Sequence, residues 1–413
     1  MSRLSEMIKE LCPDGVEYKK LGEIAEIIRG NGLQKSDFVD SGVGCIHYGQ
    51  IYTKYGAFAD KTITYVTPEL AKTLKTVSTG DLVVAITSEN VEDVCKCVAW
   101  LGGDDIVTGG HAAIVKHKQN PKYLSYIFQT VEFFRQKRKY VIGTKVIEMS
   151  PKKLAEISIP VPPLAIQNEI VKLLDNFTEL TAELTAELTA ELQLRKKQYE
   201  WYCGSLIGGA TFPKRKISDI ATFRYGYTTS AATSGDARYI RITDITDDGK
   251  LNPLDAKYTC ISTENKEYLL KRDDLVMART GATYGKTLCY NMDTPAIYAS
   301  FLIKIQVDET QMLPRFYWHF TRTPEYWGQA NRLVTKGGQP QFNTGAIGRI
   351  VIPIPPLETQ AKIVSILDRF DTLCHDLTQG LPAEIAARKK QYEYYREKLL
   401  TFPRKGTSAR RAR

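Results

Sequence analysis

Along residues 18–158, short apolar runs alternate with Gly, Asp and Asn turns: Gly44-Cys-Ile-His-Tyr48, Lys61-Thr-Ile-Thr-Tyr-Val66, Asp81-Leu-Val-Val-Ala-Ile86 and Ala112-Ala-Ile-Val-Lys116. Runs of β-branched and aromatic residues of this length predict strands of a mixed α+β domain. The period then lengthens, and Tyr123, Ile127, Val131 and Phe134 fall on one face of a helix over about 121–138. The second half repeats the plan with Arg238-Tyr-Ile-Arg-Ile242, Asp274-Leu-Val-Met-Ala278 and Phe301-Leu-Ile-Lys-Ile305, followed by a helix near 312–332.

Each half closes on a proline-rich strand. Pro160, Pro162 and Pro163, and likewise Pro353, Pro355 and Pro356, forbid helix and extend the backbone. From Ala165 to about Leu206 there is no Pro, and no Gly before Gly204, so roughly 40 residues are free to form a rod ~60 Å long. Three copies of Thr-Ala-Glu-Leu lie inside it, at 181–184, 185–188 and 189–192. Leu180, Leu184, Leu188 and Leu192 make a stripe that drifts ~40° every four residues, and Leu373, Leu377, Leu381 and Ile385 stand at the counterpart positions. These stripes are expected to pack helix on helix; the alternative docks each on its own domain. Gly380 and Pro382 interrupt the second helix, where a kink or break is expected.

The counterpart positions come from a duplication. Ile159-Pro-Val-Pro-Pro-Leu164 recurs as Ile352-Pro-Ile-Pro-Pro-Leu357, and Arg195-Lys-Lys-Gln-Tyr-Glu200 recurs as Arg388-Lys-Lys-Gln-Tyr-Glu393. Aligned without a gap, 159–200 and 352–393 share 23 of 42 residues, whereas the regions before them match only in scattered places. Modules kept alike suit one kind of partner met twice, and modules that diverged suit two different targets. Duplication also predicts an approximate two-fold relation, which would make the two helices antiparallel.

At 413 residues, with 43% hydrophobic and 25% charged positions, the chain fits two globular domains plus connecting elements. It lacks a run of ~18 apolar residues and the apolar core of a signal peptide, and a cytoplasmic location is expected. The formal charge of +9 hints at an anionic partner, but Arg404, Lys405, Arg410, Arg411 and Arg413 carry five of those charges, leaving +4 (9 − 5) for the rest. That basic end is expected to be a disordered tail. Eight cysteines are scattered, and Cys95 and Cys97 stand too close for a metal knuckle, so neither metal nor disulfide is expected. His47, His111, His117, His319 and His375 share no spacing that suggests a catalytic or metal cluster. A phosphate-binding loop and the tetrapeptide of amino-methyltransferases are missing, and Gly42-Val-Gly44 lacks the third glycine and following helix of an S-adenosylmethionine site. No catalytic residue and no cofactor is expected.

Duplicated domains, each followed by a long helix with Pro-Pro-Leu at its start and Arg-Lys-Lys-Gln-Tyr at its end, resemble the specificity subunit of type I restriction-modification enzymes. The tandem Thr-Ala-Glu-Leu copies resemble the subfamily that repeats this tetrapeptide, and the likeness covers essentially residues 15–402. It implies a first target-recognition domain over 1–158 with an N-terminal conserved segment, a central conserved helix over 159–210, a second target-recognition domain over 211–351, a distal conserved helix over 352–402 and the basic tail over 403–413. The implied fold is α+β, with two tandem α/β recognition domains separated by two long helices packed as an antiparallel coiled coil about a pseudo-two-fold. Each domain would read one half of a bipartite, asymmetric target in double-stranded DNA. The helices would set the spacer and dock two modification (methyltransferase) subunits, and restriction (motor-nuclease) subunits would join that core. In the family the subunit itself is not catalytic, and no membrane partner is implied. An enzyme acting alone and a coiled-coil scaffold without DNA are the competing readings.

Reading bases needs Arg, Lys, Asn or Gln aimed at base edges, and Gly-rich loops let backbone approach phosphates. Lys336-Gly-Gly-Gln-Pro-Gln-Phe-Asn343, Arg279-Thr-Gly-Ala-Thr-Tyr-Gly-Lys286 and Arg238-Tyr-Ile-Arg241 have that composition, and the resemblance places similar loops at the DNA face. The candidates in the second half are therefore Arg238, Arg241, Arg279, Tyr284, Lys286, Lys336, Gln339, Gln341 and Asn343. In the first half they are Tyr48, Gln50 and Ser88, with Arg138, Lys139, Tyr140 and Lys145 around a basic helix end and its Gly-Thr-Lys loop. A merely solvated loop is the alternative for each. Arg195, Lys196, Gln198 and Tyr199 are repeated as Arg388, Lys389, Gln391 and Tyr392, an identity not expected of residues that read different sequences. They are assigned to methyltransferase docking or to the helix-helix contact within the chain, with phosphate contact as the competing role.

Overall fold

Strands form where the alternating runs predict them. The computed structural model describes residues 3–208, 212–335, 337–376 and 379–406 and divides into two units, Met1–Leu184 with Arg388–Arg413, and Thr185–Ala387. In the first unit a five-stranded sheet runs in the order Ala25–Arg29, Ala112–His117, Leu82–Ala85, Cys97–Trp100, Phe58–Ala59, beside a four-stranded sheet of Thr64–Val66, Val43–Ile46, Ile106–Thr108 and Lys75–Val77. The second unit has a four-stranded sheet of Ala221–Tyr225, Leu302–Val307, Leu275–Ala278 and Thr287–Cys289, beside a three-stranded sheet of Tyr258–Thr259, Ala237–Ile240 and Ala296–Tyr298. Registers match between the units. Ala113 lies opposite both Arg29 and Val84, and Ile303 lies opposite both Tyr225 and Met277.

Each of the two expected single helices is in fact a pair. Pro121–Ile127 and Val131–Lys137 replace the helix expected over 121–138, and Pro314–Phe320 and Pro324–Leu333 replace that near 312–332. The breaks are made by Thr130 and Thr323, whose hydroxyls accept from the backbone N–H of Phe133 and Tyr326 and so start a fresh helix. Val131 consequently sits 68% exposed at a helix start instead of on the apolar face.

The long helix runs from Leu164 to Cys203, 40 residues, and continues as a π-turn over Gly204–Gly208. Its first turns dock on the first unit's own core through Ile166, Ile170, Val171 and Leu174, and Ile363 and Leu367 do the same in the second unit. A buried glutamine fixes each docking. Gln167 accepts from the Asn120 N–H at 3.0 Å and donates to the Pro162 carbonyl at 2.8 Å; Gln360 accepts from the Leu313 N–H at 2.9 Å and donates to Pro355 at 2.8 Å. About two turns further on, Asp175 holds Lys122 and the Tyr126 hydroxyl, and Asp368 holds Arg315 and His319. Antiparallel packing is visible within both units: residues 177 and 178 meet 395 and 392, while residues 370 and 375 meet 202 and 199.

Several expectations are corrected here. Leu180 is 61% exposed and takes no part in a helix seam, because a stripe spaced by four drifts off a face with 3.6 residues per turn. Thr181, Thr185 and Glu191 share the half-buried face with Leu184, Leu188 and Leu192. Across the duplication Leu381 is buried, Leu373 and Ile385 are half-buried, and Leu377 lies outside the described residues. The break expected at Gly380 and Pro382 is present, and the distal helix is two helices, Leu357–His375 and Leu381–Leu400. Pro382 stands in the first turn of the latter, where a missing N–H costs nothing. The helices do not stand apart as separate domains; each unit contains parts of both. Nor is 403–406 a loose tail: Val16 donates to the Pro403 carbonyl at 2.9 Å and accepts from the Lys405 N–H at 3.0 Å, and Arg404 lies 4.4 Å from the Tyr18 ring. Residues 407–413 of the expected tail lie outside the described residues.

Candidate nucleic-acid interface

In the second unit the two glycine-rich loops meet at one end of the four-stranded sheet. Phe342 donates to the Arg279 carbonyl at 2.8 Å, Gly281 donates to Pro340 at 3.1 Å, and Thr280 bridges Gln341. A Cβ on Gly226 would lie 2.2 Å from the Ala299 carbonyl, so only glycine lets the neighbouring strand end come this close. Arg279 donates Nε to the Ser300 carbonyl at 3.1 Å, and its guanidinium lies 5.2 Å from the Tyr225 ring and 5.5 Å from Phe301. Gln339 is exposed on the adjoining loop and Gln341 is half-buried. Tyr284 packs edge-on against Trp327 and Phe342 and donates its hydroxyl to Asn331 at 2.7 Å. Arg279, Tyr284, Gln339 and Gln341 are thus brought together, and Lys336 lies outside the described residues.

Other candidates are tied into the fold. Arg241 grips the buried Asp244 through two nitrogens at 3.0 and 2.8 Å and also reaches Asp255. Arg238 donates to the Asn252 carbonyl. Lys286 pairs with Asp247. Asn343 caps the helix Thr344–Gly348 by accepting from the Ala346 N–H at 3.0 Å. Such side chains shape the loops by hydrogen bonds made before any ligand arrives.

The first unit builds the same sheet end from different residues. Ser88 is buried and pairs with Ile147, while Thr87 pairs with Glu148. Ile142 bridges Glu148 to close a hairpin with Lys145 exposed near its tip, and Gly143, at φ +107°, makes the turn. Tyr48 lies 4.8 Å from the His111 ring, and His111 bonds the Thr87 hydroxyl at 2.9 Å. Gln50 caps its own helix through the His47 N–H and donates to Thr64, which removes it from the surface set. Arg138 and Lys139 are exposed at the helix end and Tyr140 is half-buried beneath Lys153. Within the same basic run Lys137 is buried, donating to the Glu92 and Val94 carbonyls at 3.0 and 2.6 Å. Composition gave no warning of Arg29, an exposed residue of this edge that donates Nε to Gly110 at 3.0 Å and pairs with Glu148 at 3.0 Å.

The repeated helix motif divides by face. Tyr199 is 3% exposed and its hydroxyl bonds His319 at 2.9 Å, so it is core and not docking surface, a correction forced by the helix phase. Tyr392 is half-buried and bonds the Thr178 hydroxyl at 3.0 Å. Arg195 donates to Gln198 at 3.0 Å and Arg388 to Gln391 at 3.1 Å, the same bond made twice. Lys196 is half-buried and Lys389 exposed. Burial pushes the Cys95 and Cys97 thiols up to about 12, which keeps them protonated and unreactive.

Residues 13–194 and 210–387 each match the family described as type I restriction modification DNA specificity domain. A putative type I restriction enzyme specificity subunit of Haemophilus influenzae is 34% identical over 303 residues, covering 71% of this chain and 75% of that protein. The EcoR124I/EcoR124II specificity subunit of Escherichia coli is 30% identical over 274 residues, covering 61% of this chain and 64% of that one. Among solved structures, a chain from a study of type I restriction-modification complex assembly superposes with a TM-score of 0.67 at 15% identity, covering 94% of this chain and 97% of that one. The HsdS subunit of Thermoanaerobacter tengcongensis superposes with a TM-score of 0.53 at 15% identity over 95% and 98%. Among the described residues no helix is long and apolar enough to cross a membrane. With a matched domain in each half and the paired glutamine and aspartate anchors repeated between them, the chain belongs to the type I restriction-modification DNA specificity family.

Proposed function

We propose that this chain is the non-catalytic DNA-specificity subunit of a type I restriction-modification complex, each domain reading one half of a bipartite, asymmetric target. The observation that carries this reading is a frame kept twice around edges that differ. Gln167 and Gln360 make the same backbone bonds and Asp175 and Asp368 anchor the helices at matching positions, while the sheet end carries Arg29 and His111 in one unit and Tyr225, Arg279 and Phe301 in the other. A frame repeated at matching positions suits a partner met twice. Edges of different chemistry suit two base sequences.

The partners are double-stranded DNA, two methyltransferase subunits and the restriction subunits, acting in the cytoplasm. Exposed positions of the repeated motif, Lys389 and Lys197 among them, belong to the methyltransferase docking faces. The tandem Thr-Ala-Glu-Leu copies support membership of the subfamily that repeats this tetrapeptide, with the helix they lengthen acting as the spacer of the target. Exchanging residues 214–351 for those of a relative, in the complex with the methyltransferase, tests the reading. One half of the modified sequence should change while the other stays; a change in both halves contradicts separable reading.

A further inference from the structure

Each unit holds one guanidinium at the same bend, but from opposite sides. Arg29 ends the strand Ala25–Arg29 and donates Nε to the Gly110 carbonyl at 3.0 Å; Arg279 follows the strand Leu275–Ala278 and donates Nε to the Ser300 carbonyl at 3.1 Å. Those two carbonyls are counterparts, each lying three residues before the position where Ala113 and Ile303 meet both of their neighbouring strands. By the same registers Tyr225 stands where Arg29 does. Ile86 stands where Arg279 does, since Ile86 donates to the His111 carbonyl as Arg279 donates to Phe301, and each accepts from the returning hairpin. The arginine therefore comes from one flank of the central strand in the first unit and from the other flank in the second.

A contact needed only to hold the fold would have no reason to survive such an exchange, because Tyr225 and Ile86 show that either strand end accepts an uncharged side chain. What is retained is a positive, planar donor at that point. Its Nε is fixed by a carbonyl, which orients the guanidinium plane and leaves the terminal nitrogens as the presented edge. In the second unit those nitrogens have no protein acceptor among the described residues. In the first, Glu148 holds Nη1 at 3.0 Å, where the second unit has Gln341 at the matching hairpin position. This difference would let the two edges read differently.

Resting on the specificity-subunit reading, we infer that Arg29 and Arg279 are specificity-determining residues of the two half-sites, each presenting its terminal nitrogens to a guanine, the base whose O6 and N7 both accept in the major groove. The test uses the full chain with its methyltransferase, carrying Arg279→Lys or Arg29→Lys, and maps modified positions in genomic DNA. Lysine keeps the charge and loses the planar pair of donors. Arg279→Lys should relax one position in one half of the target, with discrimination there falling about ten-fold or more, and leave the other half intact; Arg29→Lys should do the reverse. An unchanged motif with either variant overturns the inference, and so does a uniform fall in modification at every site, which marks a phosphate or structural contact. Absence of any two-part motif from the unaltered complex would instead sink the reading beneath it.

Discussion

Phe177 stacks on Tyr395 with ring centroids 5.8 Å apart and planes 19° from parallel. The same pair recurs with partners exchanged, Phe370 on Tyr202 at 5.1 Å and 29°. In each unit the phenylalanine comes from a helix leaving a proline strand and the tyrosine from a helix that has just passed the Arg-Lys-Lys-Gln-Tyr motif. Both rings of the first pair keep partial exposure, Phe177 at 36% and Tyr395 at 39%, so the stack is worth less than a core contact. Phe177→Ala and Phe370→Ala should each cost about 1–3 kcal/mol. Thermal unfolding and limited proteolysis check this, and a variant as stable and as resistant as the parent would contradict it.

Asp371 is the charged centre of the second unit. It lies 2.6 Å from Arg322, 3.0 Å from Lys250 and 3.1 Å from His375, with only 4% of its side chain exposed. At the matching position the first unit has Thr178, joined to Tyr392 by a neutral hydrogen bond. Asp371→Asn leaves buried cations short of a partner and should destabilise the second unit by about 3–5 kcal/mol, whereas Thr178→Val should cost about 1 kcal/mol.

Acid should weaken the same unit in two phases. Burial alone would raise the Asp371 carboxyl, but His375, Arg322 and Lys250 outweigh it and hold the group well below the carboxylate range. Its contribution is complete above the ordinary value of 3.8 and is lost as pH falls from there towards its folded value. His319 adds an earlier phase. Burial lowers it against the pull of Asp368, so the folded state favours the neutral ring and stability declines as pH drops below 6.5. Unfolding midpoints measured from pH 7.5 to about 2.5 should fall in the parent in both windows, and less so in His319→Gln between pH 6.5 and 4.

Sequence periodicity located these elements well and their surfaces less well. Strands at 82–85, 112–117, 275–278 and 302–307 fall inside or beside the alternating runs, because a two-residue period is set by the pleat itself. The expected helix over 121–138 is cut at Thr130, a cap whose hydroxyl bond is invisible to hydrophobic spacing. Leu180 falls off the expected seam because a spacing of four stays aligned only over a short stretch, and Tyr199 is core because identity between the halves marks packing as readily as docking. Glycine-rich loop composition singles out Arg279, Gln339 and Gln341 as candidates. It does not single out Arg29, which ends an ordinary strand and whose counterpart is a tyrosine.

Close approach of backbone at the sheet ends makes a further demand. A Cβ at Gly226 would come within 2.2 Å of the Ala299 carbonyl and 2.5 Å of Tyr298, and one at Gly30 within 2.3 Å of the Gly109 carbonyl. Backbone cannot yield as a flexible side chain would. Gly226→Ala and Gly30→Ala should each destabilise their unit by about 1–3 kcal/mol and weaken DNA binding of the complex. A melting temperature unchanged from the parent would show that the edge is looser than drawn.

The tandem tetrapeptides supply a length test. Deleting Thr185–Leu188 removes ~6 Å of helix, which corresponds to roughly one or two base pairs of duplex. Sites modified by the deletion variant should keep both half-sequences and carry a gap shorter by that amount. An unchanged gap would show that the repeat does not set the spacing.

The most direct measurement is the motif itself. With the chain produced beside its methyltransferase, sequencing of modified bases across a genome should reveal two short, unlike sequences separated by a fixed unspecified gap. One uninterrupted motif, or modification independent of sequence, would contradict the account of two unlike readers on a repeated frame.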